Sequence, residues 1–287
     1  MQPLVGISNM LLLPFMVHAF VAGGVIALAS GLVGYFLVLR NQVFTGDALS
    51  HVAFTGALGA LALGIDLRYG LYLGCVGVAL LMGFVGRRAV VDDVVIGNVF
   101  SFVLGIGVFF LAIYATQSQA STNATAGVNV LFGSMFGLSF SQTMLDIVIG
   151  LVVIAAVMAL GRPLLFSSID PAVAEARGLP VRALGMCFLL LVGVTAGEAT
   201  QAVGALLLLG LLATPAGAAQ LLTSRPWLAL FLSAAIALVS VWSGLVLSYA
   251  FPNLPVSFSI LALVTVIYCV SWGVALFVTP RHRRPEF

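Results

Sequence analysis

The chain has 287 residues, of which 62% are hydrophobic and only 7% charged, with a formal net charge of +2. No water-soluble globular surface tolerates that balance, so the composition excludes a soluble enzyme or binding module and predicts an integral membrane protein. The basic side chains are all arginine, scattered at segment ends, and form no patch for nucleic acid.

Runs such as LDIVIGLVVIAAVMAL do not alternate in polarity as barrel strands do. The fold class expected is therefore all-α, a polytopic transmembrane helical bundle in which each span satisfies its own backbone. About nine spans are predicted, roughly over 11–39, 48–65, 70–86, 94–115, 142–161, 181–197, 200–221, 228–249 and 255–278. The first run lacks a basic leader and a convincing cleavage site, and reads as a retained span. No soluble segment interrupts the series, which predicts a single transmembrane domain over 1–287.

Arg40, Arg87–Arg88, the 162–182 segment, Arg225 and the RHRR run at 281–284 fall on alternate gaps, with Arg68 alone on the other side. The positive-inside rule then puts the amino terminus outside and the carboxyl terminus in the cytoplasm. The Asn123-Ala124-Thr125 triplet in the uncharged gap is a formal glycosylation sequon of a kind that often arises by chance, and it is without meaning if the host is bacterial. Cys75, Cys187 and Cys269 lie in apolar runs and suggest neither disulfides nor a thiolate metal cluster. Glycine pairs such as Gly31/Gly34 and Gly56/Gly59 allow close helix packing. Pro215 bends or interrupts the helix that contains it.

The stretch GDALSHVAFTG (46–56) puts Asp47 and His51 four residues apart, on one helical face. A carboxylate and an imidazole suit a borderline divalent ion such as zinc, and are acceptable to manganese or iron. Asp47 could equally cap the second span while His51 bonds a neighbour. His18 in the first span and Glu198 in the outward gap GEATQ are further candidates for a path or its mouth, against readings as a packed helix contact and a solvated loop acid. Asp66 and Asp146 read as interfacial.

In RPLLFSSIDPAVAEARGLPVR (162–182), Asp170 is placed to cap a short helix that starts at Pro171 and closes at Gly178. About two turns long, it needs a partner surface, either the bundle or a cytoplasmic motor. The absence of lysine rules out a Walker A loop, so this polypeptide does not supply a P-loop for ATP.

From about residue 14 to 278 the chain resembles the permease subunits of ATP-binding-cassette importers for manganese, zinc and iron. The likeness rests on PFMVHAFVAGGVIALASGLVGYFLVLR (14–40), GDALSHVAFTGALG (46–59), LFGS (131–134), IDPAVAEARGLPVRAL (169–184) and VGALLLLGLLATPAGAA (203–219), in that order. The resemblance implies a type II importer permease-like bundle that is non-catalytic and holds no permanent cofactor. It also implies a second permease copy, in most cases giving a homodimer, two copies of a cytoplasmic ATPase, and an extracytoplasmic metal-binding protein. The setting it implies is a prokaryotic plasma membrane.

By the same resemblance Asp47 and His51 are transient ligands for the cargo ion, and Asp170, Ala174, Glu175 and Gly178 belong to the helix that couples to the ATPase. Many relatives carry a lysine where this chain reads Glu198-Ala199-Thr200-Gln201. Rival readings are a permease for a chelate such as a siderophore or cobalamin, a non-transporting scaffold, and an ion-driven secondary carrier.

Overall fold

The structure, a computed structural model, describes residues 13–85, 93–116, 131–205 and 208–278. Arg87–Arg88, the Asn123 sequon and the 281–284 run lie outside the described residues. The described chain is helical throughout: α1 (Pro14–Leu39), α2 (Val43–Ala62), α3 (Leu67–Val85), α4 (Asp93–Thr116), α5 (Phe140–Ile169), the short α6 (Pro171–Ala176), α7 (Val181–Val203), α8 (Leu208–Leu222), α9 (Pro226–Ala250) and α10 (Val256–Val278), with a 3-10 turn at Met135–Gly137. Seven of the described helices are long and apolar enough to cross a membrane. Two more, α2 and α8, occupy the places of the remaining expected spans. The 15 residues of α8 reach only about 22 Å, short of a hydrocarbon core of about 30 Å.

Local chemistry explains the helix starts. Proline stands in the first turn of α1, α6 and α9, where its missing N–H costs nothing. At α5 the Ser139 hydroxyl accepts from the Gln142 N–H while the Gln142 side chain accepts from the Ser139 N–H, a reciprocal cap. Helix α1 forms the centre of the bundle, packed by α5, α7, α8 and α9. On the periphery, α4 and α10 turn Phe102, Phe109, Val270 and Phe277 outward, as helices facing hydrocarbon can.

A close backbone approach joins α2 to α3. A Cβ added at Gly70 would overlap the Gly56 carbonyl oxygen, and one at Gly56 would overlap that of Gly70. Only hydrogen side chains at the crossing admit this contact.

At one end of the bundle, Arg40 ties α1 to α5. Its guanidinium donates to Ser168 Oγ at 2.8 Å and Ser167 Oγ at 3.1 Å, and lies 4.7 Å over the Phe188 ring of α7. Burial pushes the Arg40 guanidinium down to about 10, which leaves it cationic at neutral pH. Both serines also donate to the Leu164 carbonyl, so they keep a partner when Arg40 is lost. Arg40→Met keeps the stem and removes the charge-assisted bonds. It is expected to cost about 2 kcal/mol, read as a lower thermal midpoint of the detergent-solubilised protein. An unchanged midpoint would remove the tie from the account of stability.

Candidate metal passage

Helix α2 begins at Val43, with Gln42 in the capping position. Asp47 therefore lies in the second turn and does not cap the helix; that reading is corrected. Asp47 and His51 project from one face, with His51 Nε2 4.0 Å from Asp47 Oδ1 and side chains 17% (His51) and 32% (Asp47) exposed. The His51 ring stands edge-on to Phe100 of α4, centroids 5.0 Å apart. The Ser50 hydroxyl donates to the Asp47 carbonyl and leaves the carboxylate available. A carboxylate oxygen and an imidazole nitrogen are thus presented together, backed by an aromatic wall.

Among the described residues no group of three or more His, Cys, Asp and Glu side chains could hold a metal. Two protein ligands cannot fill the four positions that a tightly held zinc requires. Such a pair can hand an ion on, because release costs little.

The other predicted residues lie elsewhere. His18, half-buried near the start of α1, meets Phe140 of α5 with centroids 5.9 Å apart. Glu198 is not a loop acid: α7 runs unbroken through Val203, and Glu198 is buried within it at 1% exposure. The expected break at 198–199 comes instead at Gly204. Asp146 does lie near a span end, but it is buried among neighbours on α5 at 2% exposure. The signal for both was available, since an acid inside an otherwise apolar run is costly and needs an explanation.

Asp170 behaves as its spacing predicted. Its carboxylate accepts from the Val173 N–H at 3.0 Å and caps α6. The Leu179 N–H donates to the Ala174 carbonyl and the Gly178 N–H to that of Glu175, with Gly178 at φ +80°, a conformation that favours glycine. Ala174 is fully buried against the bundle, while Val173 and Glu175 face outward. Segment 162–182 opens with the last turns of α5 and has no loop before Asp170.

A model of the ABC 3 transport family matches residues 12–275. The chain belongs to the ABC 3 transport family. This permease is 30% identical over 259 residues to the manganese transport system membrane protein MntC of Listeria innocua, covering 90% of each chain. It is 27% identical to the manganese import system permease protein ScaB of Streptococcus parasanguinis, covering 94% of this chain and 92% of that one. In fold it is similar to PsaBC from Streptococcus pneumoniae, with a TM-score of 0.80 and 24% identity over 96% of each chain. ABC 3 permeases are non-catalytic polytopic membrane proteins, and this chain is one of them.

Proposed function

We propose that this permease is the membrane subunit of an ATP-driven importer for a divalent transition metal (manganese, zinc or iron), with Asp47 and His51 as the ligands that pass the ion. The observation that carries the reading is the convergence of one carboxylate and one imidazole on α2 in a chain whose relatives are named for manganese transport. The partners are a second permease copy, two cytoplasmic ATPase subunits and an extracytoplasmic metal-binding protein. Arg40, Arg177, Arg182 and Arg225 share the bundle end that bears α6, which supports a cytoplasmic assignment for that end. The amino terminus of α1 then lies outside.

The outward face of α6 serves as the dock for the ATPase. Coupling requires that nucleotide binding favour one of two bundle states through differential contact. Ala174→Pro places a proline inside α6 and removes the donor that bonds the Asp170 carbonyl. It is expected to abolish co-purification of the ATPase while leaving the permease in the membrane; an intact complex in a pull-down would count against the dock.

The reading as a whole is tested in proteoliposomes containing receptor, ATPase and permease. ATP turnover stimulated by Mn2+, Zn2+ or Fe2+ together with ion accumulation is expected. Uptake by the permease without the ATPase would instead mark a secondary carrier.

A further inference from the structure

Four polar side chains on α3, α5 and α7 have no partner for their buried oxygens. Glu198 Oε1 and Oε2, Asp146 Oδ2, Thr195 Oγ1 and the Tyr72 hydroxyl all lack a hydrogen bond. Asp146, Thr195 and Glu198 are 2%, 1% and 1% exposed. Thr195 stands three residues before Glu198, on the same face of α7. Glu198 Oε1 lies 2.9 Å from where a Cβ at Gly150 would stand, so it reaches the α5 backbone one turn beyond Asp146. On the third side, a Cβ at Gly197 would lie 3.2 Å from Cδ1 of the Tyr72 ring.

We infer that Asp146 and Glu198, with Thr195 and Tyr72, form an oxygen-donor site for a divalent cation within each subunit. Two carboxylates that share a buried seam cannot both ionise unpaired, since the cost is several kcal/mol per ion. A dication cancels both charges and gives the orphaned oxygens a partner; as it enters, the carboxyl protons leave to solvent. Oxygen-only ligation selects hard cations of the magnesium, calcium and manganese kind, unlike the mixed oxygen and nitrogen pair on α2. Arg68 of α3 is the nearby fixed cation, within electrostatic reach of Asp146, and no ion pair joins them among the described residues. The titratable group on α1 at this end is His18, which faces Phe140.

The two sites occupy opposite halves of the bundle. Tyr72 and Asp146 lie in the first two turns of α3 and α5, and Glu198 in the last two turns of α7, at the end away from α6. Asp47 and His51 lie in the first turns of α2, at the α6 end. The inference does not depend on the α2 pair carrying cargo.

The test counts Mn2+ bound per permease chain in the purified complex, from loss of the free-ion paramagnetic resonance signal. With the α2 pair removed by Asp47→Asn and His51→Ala, a single Mn2+ per chain is expected to remain. Adding Glu198→Gln or Asp146→Asn, both isosteric and uncharged, is expected to remove it with a thermal midpoint no lower than the background's. Thr195→Val, which deletes one donor and no charge, decides the matter should the acid variants fail to fold; it is expected to weaken binding about tenfold. No bound Mn2+ in the α2-pair background, or an ion that survives these substitutions, overturns the site and leaves two buried acids without a cation. An equal count of one in wild type and in the α2-pair background supports this site, because an ion that the α2 pair hands on is not retained there.

Discussion

Asp47→Asn and His51→Ala are each expected to bring metal uptake by the reconstituted importer down to that of vesicles lacking the permease. On the proposed assignment the pair supplies two ligands, and the described residues offer no third His, Cys, Asp or Glu to replace a lost one. Removing even a supporting residue around a metal ligand typically costs 10–100-fold in affinity, so losing a direct ligand from a set of two costs at least about that much. An asparagine keeps the shape of Asp47 but not its charge, and alanine leaves no donor at position 51. Folding should be spared: both side chains retain some exposure, and His51→Ala gives up an edge contact with the Phe100 ring of α4. Stability within about 0.5 kcal/mol of wild type is expected, together with normal recovery of the ATPase complex. Ion-uptake assays on the two variants decide this, and unimpaired transport by both would end the ligand assignment.

Gly70→Val is expected to remove the assembled permease from the membrane. At this crossing each glycine faces the other's carbonyl, so an isopropyl group must drive α2 and α3 apart. Overpacking a core ordinarily costs about 1–3 kcal/mol, and more when backbone has to move. Helix α2 carries Asp47 and His51 and packs on α3, α4 and α7, so the damage spreads to the proposed ligand pair and to its neighbours. Gly77→Val on the same helix is the control: an added Cβ there meets nothing within 4 Å. It should stay within about 0.5 kcal/mol of wild type. Size-exclusion profiles and membrane yields of the two variants distinguish local crowding from a general intolerance of valine in α3; equal behaviour would refute the crossing argument.

Local rules were legible where the determining atoms lie close in the chain. Asp170, Pro171 and Gly178 define both ends of α6 by short-range hydrogen bonds, and the structure shows those bonds. The Asp47–His51 face follows from helical pitch, whatever surrounds it. The start of α2 was less legible, because Val43, Phe44 and Thr45 give no capping signal and the helix begins one turn before the acid.

Composition by itself determined that this is a helical membrane protein, since a chain so apolar can satisfy its backbone in lipid only in helices or a closed barrel, and no run alternates as barrel strands do. Sequence order determined where most helices lie and which acid and imidazole share a helix face. Tertiary structure decided what covers each polar group. GEATQ reads as a break because hydropathy averages along the chain, yet α7 continues through it and buries Glu198 against α5. Asp146 lies near a helix start but is enclosed by neighbours from distant parts of the sequence. Burial is set by side chains far apart in the chain, and a one-dimensional pattern contains no information about which of them meet.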